Sequence, residues 1–303
     1  MVSNQIPTAD HSILKGMQFL YRNAGNMPSI TREGNLIYDN FSQLLIWETT
    51  EEKELVSLEY HKRTWNYFIG SPIGTTKTYP DDVDTTSYAL RLLSTDRTIA
   101  DSVLDDMMSP RRTNKDGIIT AYFDDTRHQI DPTVCINVLR CFYHYGRGKD
   151  PALEPTKDWV CTVLFRREYA NGTRYYPSPY AFLFFFALLL HENPSSDLPS
   201  VVISLLRVRL AERANTDSYT DALELAMRAL AFRALGMTVD VVQMRCLLDL
   251  QEEDGSWPTG WLCRYGKTGI GIGNKYLATA LAVRALEDCQ GWKFGILKRT
   301  QAG

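Results

Sequence analysis

Apolar residues recur at helical spacing along most of the chain. The period is clear in "SYALRLL", "VCINVLRCFYHYG", "ALELAMRALAFRALG", "VVQMRCLLDL" and "YLATALAVRALEDC". Segments in which apolar and polar residues alternate, as they do in half-buried strands, are scarce. The pattern therefore predicts an all-α fold.

One segment is apolar on every side. "YAFLFFFALLL" runs from Tyr180 to Leu190 and is followed by His191 and Glu192. It falls well short of the roughly 20 residues that a helix needs to cross a bilayer. We therefore predict a helix that is buried all round, and no stable insertion into a membrane.

The helix starts repeat along the chain. "DVDTTSYALRLL" aligns with "QIDPTVCINVLRCF", which sets Asp84 over Asp131 and Thr86 over Thr133, 47 positions later. A period in the forties is typical of stacked helix pairs. Since another helix precedes each start, we predict inner and outer helices alternating in a closed ring, with the inner helix starts at one mouth. These starts are expected near Asp82, Asp131, Pro179, Thr220 and Asn274.

Composition and charge narrow the class of protein. The 303 residues are 44% hydrophobic and 11% aromatic, enough for a substantial core, and we predict a single domain over residues 1–303. A net charge of −3 gives no basic surface, which argues against nucleic acid as a partner. Six cysteines without a CxxC pair and an N-terminus without a secretory signal indicate a cytoplasmic protein. The oligomeric state stays open.

Three carboxylates crowd one predicted helix start. Asp81, Asp82 and Asp84 stand within four positions, directly before a run that turns apolar at helical spacing. A single Asp satisfies the cap of a helix, and further acids add only about 0.3–1 kcal/mol each at exposed sites. Capping alone is one interpretation of the cluster. A bound cation is the other.

Two motifs carry a resemblance to known families. "LLDLQEEDGSW" contains QxxxGxW at Gln251, Gly255 and Trp257, which resembles the QW repeat of triterpene and class II diterpene cyclases. Those enzymes share an α/α toroid with the β subunits of protein prenyltransferases, so the resemblance implies that fold. "DVDTT", beginning at Asp82, resembles the DxDD motif of class II cyclases and its DxDTT variant in drimenyl diphosphate synthases.

A third resemblance concerns the layout of the whole chain. Its length, its acidic helix start and a late Lys267 or Lys275 are similar to the small fungal humulene synthases. That family implies Mg²⁺ and ionisation of farnesyl diphosphate, an isoprenyl diphosphate, to a humulene-type hydrocarbon and pyrophosphate. The zinc site of protein prenyltransferases and the DDxxD motif of ordinary class I terpene synthases are missing. Peptide prenylation and the usual class I fold are therefore disfavoured.

The main hypothesis is a Mg²⁺-dependent sesquiterpene cyclase, in which carboxylates bind the metal and cations hold the departing pyrophosphate. Lys275, Lys267 and Asp84 are the predicted catalytic residues. The predicted metal ligands are Asp81, Asp82, Asp84 and Asp131, with Asp124 and Asp125 as weaker candidates. The predicted substrate-binding residues are Arg264, Lys267, Lys275 and Tyr276 in the glycine-rich segment, with Trp65, Trp257 and Trp261 facing the carbocation. Tyr67, Phe68 and Tyr180 belong to the same wider aromatic set.

Two alternatives remain. In the first, a class II cyclase, Asp84 protonates an alkene or epoxide, which requires a carboxyl group that burial keeps protonated near neutral pH. A metal would have the opposite effect on that pKa. The second is a non-catalytic α/α toroid that binds a partner.

Overall fold

A computed structural model of the chain describes residues 9–93, 95–214 and 220–290. Over these residues the fold is mostly helical, with one small sheet. The helices are α1 (Ala9–Arg22), α2 (Asn40–Thr50), α3 (Val83–Leu92), α4 (Arg97–Met108), α5 (Pro132–His144), α6 (Glu154–Arg166), α7 (Pro179–Glu192), α8 (Val201–Ala214), α9 (Ala222–Ala234), α10 (Val241–Asp249) and α11 (Lys275–Gln290). The strands are β1 (Ser29–Thr31), β2 (Leu36–Ile37), β3 (Gly260–Arg264) and β4 (Gly271–Asn274).

Six helices form the centre of the molecule. Each packs on its neighbours in the order α2, α3, α5, α7, α9 and α11, and α11 also contacts α2. Four of the remaining helices pack on the outside of these: α1 against α11, α6 against α5, α8 against α7 and α6, and α10 against α9. The predicted all-apolar segment forms most of α7, whose residues are almost all buried. No helix of the described part is long and apolar enough to span a membrane.

The central helices begin at polar caps, because a side-chain oxygen must accept the unpaired N–H groups of a first turn. All five predicted starts are confirmed within about a residue, at α3, α5, α7, α9 and α11. For the start predicted near Thr220, α9 begins after the cap Asp221. The capping residues are Asp39, Asp82, Asp131, Ser178, Asp221 and Asn274.

A four-stranded sheet corrects the all-α prediction. Its order is β2-β1-β4-β3, and every neighbouring pair is antiparallel. β4 contains "GIGN", part of the glycine-rich segment for which the sequence predicts an anion-binding loop. A Cβ on Gly273 would stand 2.6 Å from Thr259 and 2.8 Å from the Gly260 carbonyl oxygen, so the glycine permits close strand pairing.

The QW motif ties α1 to the loop after α10. The Gln251 side-chain amide donates to the carbonyl oxygens of Ser12 (2.8 Å) and Gly255 (2.9 Å). Gly255 has a φ of +94°, and a Cβ there would stand 2.5 Å from the Lys15 carbonyl oxygen. Trp257 is fully buried beside them. The motif therefore stabilises the fold and takes no part in the cavity described below.

Candidate active site

A cavity of about 540 Å³ opens where the central helices begin. Its wall includes Asp82, Asp84 and Thr85 from the start of α3, Phe41 from α2 and Val134 from α5. Tyrosines supply most of the remaining apolar surface, namely Tyr67, Tyr79, Tyr122, Tyr175, Tyr176 and Tyr265. The predicted meeting of separate helix starts at one cavity is confirmed for these segments.

Asp84 is held by two hydrogen-bond donors. Asn137 Nδ2 donates to Oδ1 at 2.9 Å, and the Tyr176 hydroxyl donates to Oδ2 at 2.5 Å. The residue is 8% exposed. Burial raises the pKa of Asp84 to about 7, although the two hydrogen bonds and Arg140 oppose that rise. Near neutral pH this carboxyl can therefore carry a proton and release it, as a general acid must.

Asp82 caps α3 and lies beside Asp84. Its Oδ1 accepts the Thr85 N–H at 2.7 Å, whereas its buried Oδ2 has no hydrogen-bond partner among the described residues. Burial raises the pKa of Asp82 well above its usual range, and the charge of Asp84 adds to the rise. A protonated, neutral Asp82 beside the acid fits both observations.

The other predicted metal ligands are occupied by their own loops and caps. Asp131 caps α5 through Oδ1, and its Oδ2 accepts the Tyr175 N–H at 2.9 Å. Asp81 accepts bonds from the Thr64 hydroxyl (2.6 Å) and from Asn66 (3.3 Å). Among the described residues, no three His, Cys, Asp or Glu side chains are arranged to hold a metal ion. The aspartates therefore do not fit the predicted metal site.

The weaker metal candidates lie away from the cavity wall. Asp125 is exposed and pairs with Arg111 and Arg112. Asp124 accepts the N–H and hydroxyl of Thr126.

Four cations line the cavity, and sequence reasoning found two of them. Arg264 and Lys267 lie where the prediction put them, and Arg127 and Arg174 join them. Arg127 and Arg174, which the sequence analysis missed, stand in the loops just before the starts of α5 and α7. Their place before a predicted helix start is a signal by which the sequence could have identified them.

Lys275 does not reach the cavity. Its Nζ pairs with Glu252 at 2.5 Å, at the first residue of α11. The ion pair directs the side chain to the loop that carries the QW motif. Of the two predicted lysines, only Lys267 lies on the wall.

The predicted tryptophans pack outside the cavity, which corrects their assignment to substrate. Trp257 donates from Nε1 to the Leu247 carbonyl oxygen at 2.7 Å. Trp261 lies under the Arg32 guanidinium, 4.4 Å from the ring centre. Trp65 contacts other aromatic rings of its own loop. These three rings are structural because each already has a partner at its polar or π surface.

Tyr276 is also remote, stacked on Phe19 of α1 with ring centres 5.4 Å apart. In the wider aromatic set, Phe68 and Tyr180 are not on the wall, whereas Tyr67 is. The Tyr67 hydroxyl is buried and has no hydrogen-bond partner among the described residues. Tyrosines, not tryptophans, therefore face the cavity.

Sequence relatives match most of this chain. Residues 13–145 match the family described as sesquiterpene cyclase astC-like C-terminal domain. Over 272 residues the chain is 46% identical to drimenol cyclase drtB of Aspergillus calidoustus, a match that covers 90% of this chain and 50% of that protein. The chain therefore spans about half the length of this relative. It is a homologue of a terpene cyclase.

Solved structures share the fold at low identity. The apo type II terpene cyclase MstE from Scytonema gives a TM-score of 0.62 at 13% identity, covering 93% of this chain and 99% of that chain. A variant of MstE in complex with geranylgeranyl dihydroxybenzoate, its substrate, gives 0.61 at 14% identity and covers 93% and 97%. A possible GH105 family member from Salmonella enterica gives 0.55 at 9% identity and covers 95% and 96%. These likenesses show the fold alone.

The predicted Mg²⁺-dependent ionisation of farnesyl diphosphate to a humulene is wrong. The extended match is to a drimenol cyclase, and the terpene cyclases that share the fold are of type II. The physical reason lies at Asp84, which is hydrogen-bonded on both oxygens and whose pKa burial raises to about 7, so that it is not an open carboxylate.

Proposed function

Because 46% identity over 272 residues relates this chain to a drimenol cyclase, we propose that it is a class II terpene cyclase, in which protonation starts the reaction. The proposed acid is Asp84. One observation carries the proposal: a buried carboxyl on the cavity wall, held by Tyr176 and Asn137, whose pKa burial raises to about 7. This is the environment that a carboxylic acid needs to donate a proton near neutral pH.

The reaction follows from that placement. Asp84 gives its proton to the terminal alkene of an isoprenyl chain, and a tertiary carbocation forms. The π electrons of the next alkenes then close carbon–carbon bonds, and loss of a proton from the cyclised cation leaves a new alkene. The substrate and product are isomers. Tyr176 and Asn137 stabilise the carboxylate that Asp84 becomes, since both donate to it.

The proposed substrate is a C15 isoprenyl diphosphate. A sesquiterpene cyclase domain is the family match, and Phe41 and six tyrosines place aromatic rings that suit a carbocation on the cavity wall. Arg127, Arg174, Arg264 and Lys267 supply positive charge for the diphosphate. In this reaction the diphosphate stays on the product.

We also propose that the described residues belong to one closed α/α toroid. The contacts of the six central helices, including the contact between α11 and α2, support this architecture. The solved type II terpene cyclase with a TM-score of 0.62 supports it as well.

We propose magnesium only as a cation bound to the diphosphate of the substrate at the mouth of the cavity. The described aspartates do not form a site for it, so no step of the cyclisation is routed through a metal. A cytoplasmic location also remains a prediction.

Farnesyl diphosphate and farnesyl thiolodiphosphate together test the mechanism. Protonation chemistry leaves the C–O or C–S bond intact, so both compounds should give bicyclic C15 products that still carry both phosphates. Mass spectrometry of the untreated reaction and an assay for free pyrophosphate supply the readout. Release of pyrophosphate in step with a hydrocarbon from the diphosphate, with no reaction of the thiolo compound, would overturn the proposal.

A further inference from the structure

Two hydrogen-bonded contacts join α3 to α5 around the acid. The first is the bond from Asn137 to Asp84. The second lies one helical turn further along α3, where Arg140 Nη1 donates to the Tyr88 hydroxyl at 2.9 Å. Residues three or four apart share one face of a helix. Asp84 and Tyr88 on α3 therefore face Asn137 and Arg140 on α5.

Arg140 is the buried centre of an ion cluster that reaches the surface at Glu192. Its side chain is 0% exposed. Nη2 bonds to Glu48 of α2 at 3.0 Å and to Glu192 of α7 at 2.5 Å, and Nε bonds to Glu192 at 3.1 Å. Arg91 of α3 also pairs with Glu48, at 2.6 Å. The cluster of two arginines and two glutamates thus links α2, α3, α5 and α7 further along these helices from Asp84.

We propose that Arg140 is a positioning residue for Asp84. Its hydrogen bond to Tyr88 holds α3 against α5, which keeps Asn137 in place to donate to Asp84, and its buried positive charge adds to the groups that favour the carboxylate. The inference rests on the proposed function, because it concerns the acid of that reaction. Nothing else in the cyclisation requires an arginine in this place, which lies outside the cavity wall.

The chemistry of the acid explains why a buried cation belongs there. An alkene is a weak base, so the acid must not hold its proton too tightly. Burial is the main cause that holds the proton on Asp84, the charge of Asp131 adds to it, and the charge of Arg140 works against both by lowering the pKa. After proton transfer, the same charge stabilises the buried carboxylate. The two glutamates limit this effect, because they partly neutralise Arg140.

Other groups around Asp84 act on it from each neighbouring element. They are Asp82 and Tyr88 on α3, Asp131 and Cys135 on α5, Tyr176 before α7 and Cys263 on β3. Of these groups, the acidic ones oppose ionisation of Asp84 when they are charged. A change at Arg140 or Glu192 must therefore be measured at Asp84 itself.

The test is an infrared titration of the protonated carboxyl band that is missing in Asp84→Asn. Arg140→Gln should move the midpoint of this band upward by a measurable fraction of a pH unit, because a stabilising cation is lost. Glu192→Gln should move it downward, because Arg140 loses a counter-charge. The upper limb of the pH–rate profile for cyclisation should move in the same two directions. Arg140→Lys should stay near the wild-type midpoint.

Arg209→Gln is the matched control. Arg209 is a buried arginine of α8 that donates to the carbonyl oxygens of Leu164 and Phe165 and pairs with Glu212, and α8 packs on α6, α7 and α9. Its loss should leave the midpoint unchanged. Should Arg140→Gln fail to fold, Glu192→Gln and Arg140→Lys still decide the question.

The experiment distinguishes failure of the Arg140 role from failure of the proposed function. Equal or same-direction shifts in Arg140→Gln and Glu192→Gln, or no shift in either, would overturn the role of Arg140. Opposite shifts of the infrared midpoint confirm that role, whatever the enzyme's activity. Opposite infrared shifts with an unchanged pH–rate profile would instead remove Asp84 as the acid, and the proposed function would fail.

Discussion

Asp84 is subject to opposing forces at the scale of a single residue. Burial favours the neutral acid, and the donors Tyr176 and Asn137 favour the carboxylate. A carboxamide has nearly the same shape but no proton to give. We expect Asp84→Asn to abolish cyclisation while it still binds substrate, measured by mass spectrometry and by calorimetry. Asp81→Asn is the control, because Asp81 is off the cavity wall, and it should retain activity. Full activity of the Asp84→Asn variant would contradict the assignment.

The rate should depend on the protonated form of Asp84. Since burial raises its pKa to about 7, cyclisation should be constant below that pH and fall about tenfold per unit above it. Single-turnover rates from pH 5 to 9 provide the measurement. Binding of an unreactive analogue over the same range is the control, because binding does not need the proton. A rate that rises above pH 7 would contradict the prediction.

The same pKa predicts the pH dependence of stability. A folded-state pKa of about 7 against an ordinary value of 3.8 means that the stabilising contribution is complete below pH 3.8 and is lost as pH rises through about 7. The unfolding free energy of the wild type should therefore fall relative to Asp84→Asn by roughly 1.4 kcal/mol per pH unit within that window. Denaturant titrations at several pH values check this. A pH-independent difference between the two proteins would show that Asp84 titrates normally.

At the scale of elements, the helix starts were predictable and their chemistry was not. Asp82 and Asp131 cap α3 and α5 and lie 49 positions apart, so the structural repeat differs by two residues from the sequence alignment that set Asp84 over Asp131. The choice between metal ligand and acid at Asp84 depends on burial and on Tyr176, 92 positions away, which no local pattern contains. The assignment of the tryptophans to the substrate site was wrong for the same reason, because the type of a ring does not tell whether it faces a cavity or packs on a helix.

The glycine-rich segment separates Lys267 from Lys275. Lys267 is exposed at the mouth before β4, whereas β4 carries Lys275 away to its ion pair with Glu252. We expect Lys267→Gln to raise the KM for the diphosphate substrate roughly twofold to fivefold with little change in kcat, because a solvated ion contact contributes up to about 1 kcal/mol. Lys275→Gln is the matched control and should leave KM unchanged. The reverse pattern would place the diphosphate elsewhere.

At the scale of the whole molecule, the wall of the cavity is formed by segments that are far apart in the sequence. Its wall combines residues from 41 to 85, from 121 to 134, from 174 to 176 and from 263 to 272. β1 and β4 pair Ile30 with Gly273, so parts from both ends of the described chain meet beside it. A ligand in the cavity therefore contacts elements that must all be folded together.

This arrangement predicts stabilisation of the entire fold by an unreactive ligand. 10,11-Dihydrofarnesyl diphosphate lacks the alkene that Asp84 would protonate but keeps the diphosphate. At a hundredfold excess over its Kd it should add about 2.7 kcal/mol to the unfolding free energy, which corresponds to a rise of about 5 °C in Tm. Differential scanning fluorimetry measures the rise.

A chelator arm of the same experiment tests magnesium. With EDTA the rise in Tm should shrink but persist, because Arg127, Arg174, Arg264 and Lys267 remain at the mouth when a cation on the diphosphate is removed. Complete loss of the rise would make the metal essential for binding. No rise in either buffer, at ligand concentrations that saturate farnesyl diphosphate turnover, would show that the substrate binds outside this cavity, because a ligand that binds only the folded state must raise its stability.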